Sequence, residues 1–144
     1  MVKIKNIIII TLFLVSTPAI SRVVSSIDIQ AVGEHYSGRN DKYEEKVCKA
    51  FRPSKKQLIR YLNLATDSDD NGPLLHDYYS PCIAYGLVKF KDGTSARWTL
   101  EANGGAYVTF SDKKQHLFFY RDNHWFNPLP CEHGNGIDEP KDIC

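Results

Sequence analysis

Between residues 81 and 120, apolar and polar side chains alternate in four short runs, and a turn signal separates each run from the next. Alternation with a period of two is typical of β-strands that bury one face. Connections this short join antiparallel neighbours in a sheet. The pattern therefore predicts an antiparallel meander of four strands, at residues 81–90, 95–101, 106–110 and 115–120.

The second of these runs has the most regular alternation, and the Asp92-Gly93 pair before it is a strong hairpin signal. Trp98 of this run is the side chain that we expect in the core. The polar positions of this run and the next one are expected to form a face in contact with water. The expected inward set is Ala96, Trp98 and Leu100, and the expected outward set is Arg97, Thr99, Glu101 and Thr109.

A helix is predicted at residues 55–66, ahead of the meander. Ser54 can accept a hydrogen bond from the first helical turn while Gln57 reaches back to the start, which forms a capping box. One helix packed on one face of an antiparallel sheet gives an α+β fold. The apolar stripe that covers the sheet is expected to consist of Leu58, Tyr61, Leu62 and Ala65.

The stretch from residue 22 to residue 47 carries weaker signals. β-branched residues at 23–32 allow a strand at one edge of the sheet, whereas the polar residues 33–41 are typical of a loop. Chain termini often stay loose unless they are tied down. Ordered structure is therefore expected to begin as late as Tyr43 or Cys48.

Residues 1–21 have the three zones of an export signal: an early pair of lysines, an apolar run at 7–15, and small residues before a cut ahead of Arg22. The apolar run is shorter than the roughly 20 residues that span a bilayer. We therefore predict a cleaved signal and a single periplasmic domain at residues 22–144, with no stable membrane anchor. An uncleaved helix that tethers the domain to the inner membrane is the alternative.

The charge of the mature chain argues against two classes of partner. Cleavage removes Lys3 and Lys5 and leaves 16 basic against 17 acidic residues. This balance provides no positive field for nucleic acid or for an anionic membrane. The partner that we expect is a protein.

Four cysteines in an exported chain predict two disulfides that staple the fold, namely among Cys48, Cys82, Cys131 and Cys144. Four cysteines allow three pairings, and their spacing does not choose between them. We favour a bridge from Cys131 or Cys144 to Cys48, because the polar C-terminal tail needs an attachment. No Cys-x-x-Cys pair is present, so we expect neither a zinc site nor another cofactor.

The acidic stretch after the helix has two interpretations. It matches the first half of a calcium loop, with oxygen ligands at alternate positions before Gly72, but Tyr78 stands where a bidentate glutamate is required. A solvated acidic turn is the simpler interpretation. The weak calcium alternative would use Asp67, Asp69 and Asn71.

Acidic and aromatic side chains together indicate a binding surface for a protein with basic features. Tyrosine, tryptophan and arginine concentrate at the centres of protein interfaces. The alternative is that the C-terminal tail folds back over the aromatic rings and hides them. The predicted partner-binding residues are Asp67, Asp69, Asp70, Asp77, Tyr78, Trp125 and Phe126.

A small secreted hydrolase is the main catalytic alternative. His116 and Glu101 provide an acid–base pair, and Arg97 provides a cation for developing negative charge. The same side chains also fit an ordinary polar sheet face with cross-strand pairs. The sequence contains no nucleophile elbow, no His-Glu-x-x-His and no phosphate loop, so we expect no enzyme and no small-molecule substrate.

Three stretches resemble a known group of proteins: residues 51–58 (FRPSKKQL), 79–86 (YSPCIAYG) and 98–106 (WTLEANGGA). They are similar to small exported proteins of Gram-negative bacteria that look like periplasmic immunity partners of interbacterial toxins, such as those of type VI secretion. The resemblance implies that the chain binds and inhibits a cognate toxin, a cell-wall-directed effector. An inhibitor of lysozyme is a further alternative that works by the same contact mechanism.

Overall fold

The computed structural model describes residues 22–36, 38, 40–68 and 79–130. Within these residues the chain forms one six-stranded antiparallel sheet and two helices, with the strand order β1-β3-β4-β5-β6-β2. The predicted α+β class is confirmed, whereas the prediction of four strands and one helix is wrong. The elements are β1 (Val24–His35), α1 (Lys42–Cys48), α2 (Lys55–Leu64), β2 (Thr66–Ser68), β3 (Cys82–Phe90), β4 (Ser95–Glu101), β5 (Gly105–Phe110) and β6 (Gln115–Phe119).

The meander forms the centre of the sheet, and β3 to β6 are antiparallel neighbours in chain order. Short polar turns connect them, as the sequence predicts. At one border, β2 pairs with β6 through Thr66↔Phe119 and Ser68↔Leu117. A strand of three residues is too short for a periodic pattern, so the sequence predicted a helix that continues to residue 66 instead.

The other border is β1, which begins at Val24 and pairs with β3 along its length. The predicted edge strand is therefore present, and regular structure starts before Tyr43. The pairing of β1 with β3 shifts register at three places, because Ser25, Gln30 and Gly33 each lie opposite no residue of β3. Such bulges bend a strand and disturb its hydrogen-bonding edge.

The sheet has one face covered by the helices, which we call the packed face. Trp98 lies at its centre and is 2% exposed. Gly86 lies opposite Trp98 on β3, and a Cβ there would lie 2.9 Å from Trp98 Cζ2 and would clash with the carbonyl of Asp28. A glycine is therefore required at position 86, where the backbone of β1 and the Trp98 ring both approach β3 closely. Other buried side chains of this face are Ile27, Ala84, Val88, Leu100, Val108 and Phe118.

Helix α1 is tied to the sheet by a disulfide between Cys48 and Cys82. The predicted bridge from Cys48 to the C-terminal tail is therefore wrong, because the end of α1 lies against the start of β3. Cys131 and Cys144 lie outside the described residues. His35 adds a second link, since its Nε2 lies 2.8 Å from Glu44 Oε2.

Helix α2 begins at the predicted capping box, in which the Ser54 hydroxyl accepts a hydrogen bond from the amide of Gln57. The predicted inward residues Leu58, Tyr61 and Leu62 are buried. Residues 120–130 then run beside the helix. This contact includes hydrogen bonds from Gln57 Nε2 to the carbonyl of His124 and from Arg60 Nη1 to the carbonyl of Asp122. Trp125 Nε1 donates to the carbonyl of Ala102, in the turn after β4.

The Tyr61 hydroxyl links α2 to the meander, since it lies 3.0 Å from the carbonyl oxygens of both Gly104 and Phe118. We expect Tyr61→Phe to lower the free energy of unfolding by about 1–2 kcal/mol, because a buried hydrogen bond is lost without a change in shape. Urea denaturation provides the measurement. Tyr43→Phe is the matched control, because Tyr43 is exposed. Equal midpoints for the two variants would contradict this assignment.

Candidate functional site

The face of the sheet opposite the helices carries three rows of side chains across the strands, and we call it the open face. The register defines each row, because residues that are paired across neighbouring strands lie side by side. The glutamate row contains Glu34, Ile83 and Glu101, the tyrosine row contains Ala31, Tyr85, Thr99, Tyr107 and Leu117, and the arginine row contains Asp28, Leu87, Arg97, Thr109 and Gln115.

Ile83 and Glu101 of the glutamate row are buried, at the end where β3 begins and β4 ends, whereas Glu34 is exposed. Glu101 is 5% exposed. Its Oε1 accepts a hydrogen bond of 3.0 Å from Tyr36 Oη, and its Oε2 accepts one of 3.2 Å from the amide of Ser80. Asn103 Nδ2 lies 3.4 Å from Oε2. The prediction that Glu101 faces water is therefore wrong, because Tyr36 and Ser80 cover the outward side of β4 at this position.

Burial raises the pKa of Glu101 from 4.5 to about 7, against the hydrogen bonds of Tyr36, Ser80 and Asn103, which favour the charged form. Burial and the nearby carboxylate likewise raise the pKa of Tyr36. Among the described residues, no lysine, arginine or histidine forms an ion pair with Glu101. The carboxylate is therefore held by neutral donors and joins the ends of β1, β3 and β4.

The arginine row lies at the other end of the open face and is accessible. Arg97 is exposed at the centre of the row, between Leu87, which is 39% exposed, and Thr109. A shallow groove of about 500 Å³ lies over it. The surface of the groove is mostly apolar, and its lining includes three positively charged side chains, Lys89, Arg97 and Lys113, and one negatively charged side chain, Asp28.

The tyrosine row connects the two ends. Tyr85 is 37% exposed, whereas Thr99 and Tyr107 are half-buried. The open face is therefore closed over Glu101 and becomes progressively more accessible towards Arg97. Its accessible part combines aromatic, aliphatic and cationic side chains on the central strands of the sheet.

The predicted catalytic set is not assembled. His116 is paired with Val108 and shares the packed-face side of the sheet, where its Nδ1 lies 2.6 Å from Asp67 Oδ2. Glu101 lies on the open face, so the sheet itself separates the two side chains. Arg97 is four residues from Glu101 on β4, which corresponds to about 13 Å along a strand. His116 has Asp67 as its acidic neighbour instead.

The structure separates the predicted partner-binding residues. Asp67 belongs to β2 and is bonded to His116. Trp125 packs on Phe51 and Tyr61, so its ring belongs to the packed side of the domain. Phe126 is exposed. The remaining members, Asp69, Asp70, Asp77 and Tyr78, lie outside the described residues.

The calcium alternative also extends beyond the described part of the chain. Asp67 is described, whereas Asp69 and Asn71 are not. In residues 22–36, 38, 40–68 and 79–130, no three His, Cys, Asp or Glu side chains are grouped so that they could hold a metal ion. The carboxylate of Asp67 is directed at the imidazole of His116.

Sequence reasoning did not single out Tyr85 and Leu87 as site residues, nor the role of Tyr36 above Glu101. The signal for the first two was present, since Tyr85, Leu87 and Lys89 alternate with the inward residues Ala84, Gly86 and Val88. The contact of Tyr36 with Glu101 joins residues that are 65 positions apart. No local pattern predicts such a contact.

Comparisons with known proteins return no matching family model, no matching curated protein and no matching solved structure. Among the described helices, none is both long enough and apolar enough to cross a bilayer. The accessible part of the open face, centred on Arg97 and bordered by Tyr85 and Leu87, is the candidate functional site.

Proposed function

We propose that this chain is a periplasmic immunity protein, which binds a cognate toxin and inhibits it by contact rather than by chemistry. The toxin is a cell-wall-directed effector, as the sequence resemblance implies. The observation that carries the proposal is the open face. It presents an exposed arginine, a tyrosine and a leucine from adjacent strands in one continuous patch.

The composition of this patch supports a protein-binding role. Arginine and tyrosine are over-represented among the side chains that dominate binding energy at protein interfaces. Arg97, Tyr85 and Leu87 come from the central strands β3 and β4, so the sheet fixes their relative positions. A preorganised surface loses little conformational freedom on binding, which favours tight association.

The disulfide supports the same role. It joins α1 to β3 through two fully buried cysteines. A scaffold of this kind holds its surface in one shape outside the cytosol, where disulfides persist. The sequence-predicted partner residues Asp69, Asp70, Asp77 and Tyr78 remain predictions for a second contact region.

The hydrolase alternative has less support, because His116 and Glu101 lie on opposite faces of the sheet. General acid–base catalysis requires both groups within reach of one substrate. In the described residues, the neighbours of Glu101 are tyrosine, amide and backbone groups rather than an imidazole.

If the chain is an immunity protein, we expect the adjacent reading frame to encode an exported or secretion-linked enzyme, and the proposal is tested with that enzyme and the mature chain. We expect a complex with a dissociation constant in the nanomolar range by calorimetry, and stoichiometric inhibition of cell-wall hydrolysis by that enzyme in a turbidity assay. Hen lysozyme in the same assay tests the alternative of a lysozyme inhibitor. Absence of both binding and inhibition for the adjacent enzyme would overturn the proposal.

His116→Ala separates the binding and the hydrolase hypotheses. For an immunity protein we expect inhibition of the toxin to change by less than twofold, because His116 lies on the other side of the sheet from Arg97. A hydrolase that uses His116 would lose turnover in this variant. Wild-type hydrolytic activity that His116→Ala abolishes would therefore decide for the enzyme.

A further inference from the structure

We propose that the groove around Arg97 is the docking surface for an acidic projection of the partner protein, in which a partner carboxylate binds the Arg97 guanidinium. This inference rests on the proposed function and adds the location of the interface and the chemistry of the partner. It assigns the main contact to the open face rather than to the acidic stretch that follows α2.

The position of Arg97 on the open face makes it accessible to a partner. It lies on β4, a central strand, and its side chain points away from the packed face. Leu87 and Thr109 are its direct cross-strand neighbours. Because Arg97 is exposed, its guanidinium is accessible to a partner, and the planar fork of an arginine matches the two oxygens of a carboxylate.

Positively charged side chains outnumber negatively charged ones in the lining of the groove. Lys89 and Lys113 lie on the same groove as Arg97, and among the described residues none of these three cations forms a salt bridge. Asp28 is the one acidic side chain in the lining. The mature chain is close to neutral as a whole, so the positive groove is a local feature. A complementary partner surface must present carboxylates.

The apolar neighbours determine what kind of acidic partner fits. Leu87 and Tyr85 expose more than a third of their surface beside the arginine row. Fully buried apolar area at an interface contributes binding energy, while the charges set orientation and partner choice. The groove has a volume of about 500 Å³ and is open to solvent. The partner therefore projects an Asp or Glu beside an apolar side chain.

The first experiment measures the complex with the enzyme from the adjacent reading frame. We expect Arg97→Glu to weaken binding by at least thirtyfold, and Arg97→Lys to weaken it by about fivefold because the charge is kept and the fork is lost. Lys56→Glu is the matched control, since it makes the same kind of charge reversal on an exposed position of α2. We expect less than a twofold effect there. An unchanged affinity for Arg97→Glu would overturn the docking surface while the proposed function stands.

The second experiment tests the chemistry of the groove without the enzyme, so that it remains decisive if the proposed function fails. Poly-L-glutamate is titrated into the isotope-labelled mature chain at low salt, and amide chemical shifts are recorded. We expect changes at Leu87, Arg97 and Thr109 that disappear in Arg97→Glu, and no such changes with poly-L-lysine. Shifts confined to other faces, or no shifts, would overturn the proposal. An equal response to inorganic phosphate would do so as well, since it would indicate a small-anion site.

Discussion

Replacing both Cys48 and Cys82 with alanine is expected to lower the free energy of unfolding by about 4 kcal/mol. The bridge closes a loop with a sequence separation of 34, and the entropy that a cross-link of this length removes from the unfolded chain accounts for that value. Urea denaturation of the oxidised wild type and of the double variant, followed by tryptophan fluorescence, provides the measurement. A loss of this size is a large part of the stability of a small domain.

The double variant is needed because a single replacement would leave a thiol that can pair with Cys131 or Cys144. The link between His35 and Glu44 remains in the variant and holds α1 near β1. We therefore expect the sheet to stay folded at low temperature, with a normal β-sheet circular dichroism spectrum. A drop of less than 1 kcal/mol would mean that the unfolded chain is already compact around this segment.

Glu101→Gln is expected to remove a pH dependence of roughly 3 kcal/mol from the stability of the domain. Burial raises the pKa of Glu101 from 4.5 to about 7, so the folded state holds a proton that the unfolded state releases. The contribution of this group to stability is complete below about pH 4.5, decreases as the pH rises, and is lost above about pH 7. Glutamine keeps the shape and cannot ionise.

Stability curves of wild type and Glu101→Gln at pH 4 and pH 8 check this expectation. The two proteins should be about equally stable at pH 4, and the variant should be the more stable one at pH 8. Tyr36→Phe is an independent test, because the Tyr36 hydroxyl stabilises the charged carboxylate. Its removal should raise the pKa of Glu101 further, so that the loss of stability still begins near pH 4.5, extends to higher pH and is larger at pH 8. A difference between wild type and Glu101→Gln that does not change with pH would contradict the assignment.

The elements that the sequence predicted correctly are those with local signals. The meander follows from alternation and from turns such as Asp92-Gly93, and α2 follows from the capping box of Ser54 and Gln57. Helix α1 was missed although Asp41 caps it and accepts hydrogen bonds from the amides of Tyr43 and Glu44. Its seven residues follow a polar stretch, so no apolar stripe revealed it.

The candidate site was predictable only in part. Alternation placed Arg97 outwards, and it is exposed. Alternation also placed Glu101 outwards, but whether an outward position meets water depends on segments from elsewhere in the chain, here Tyr36 and Ser80. The pairing of Cys48 with Cys82 was beyond reach for the same reason. The contacts that close the domain at this end join parts of the chain that no local pattern connects.

The three bulges of β1 have a consequence for the behaviour of the protein at high concentration. A long strand at the border of a sheet is a template for the addition of another extended chain, which is how fibrils grow. Between its bulges, β1 has at most four consecutive residues in regular register with β3, from Ser26 to Ile29. An incoming chain would therefore meet a strand that bends after every few residues. β1 is the longest strand of the described sheet and lies at its border. Its bulges disfavour aggregation through this border.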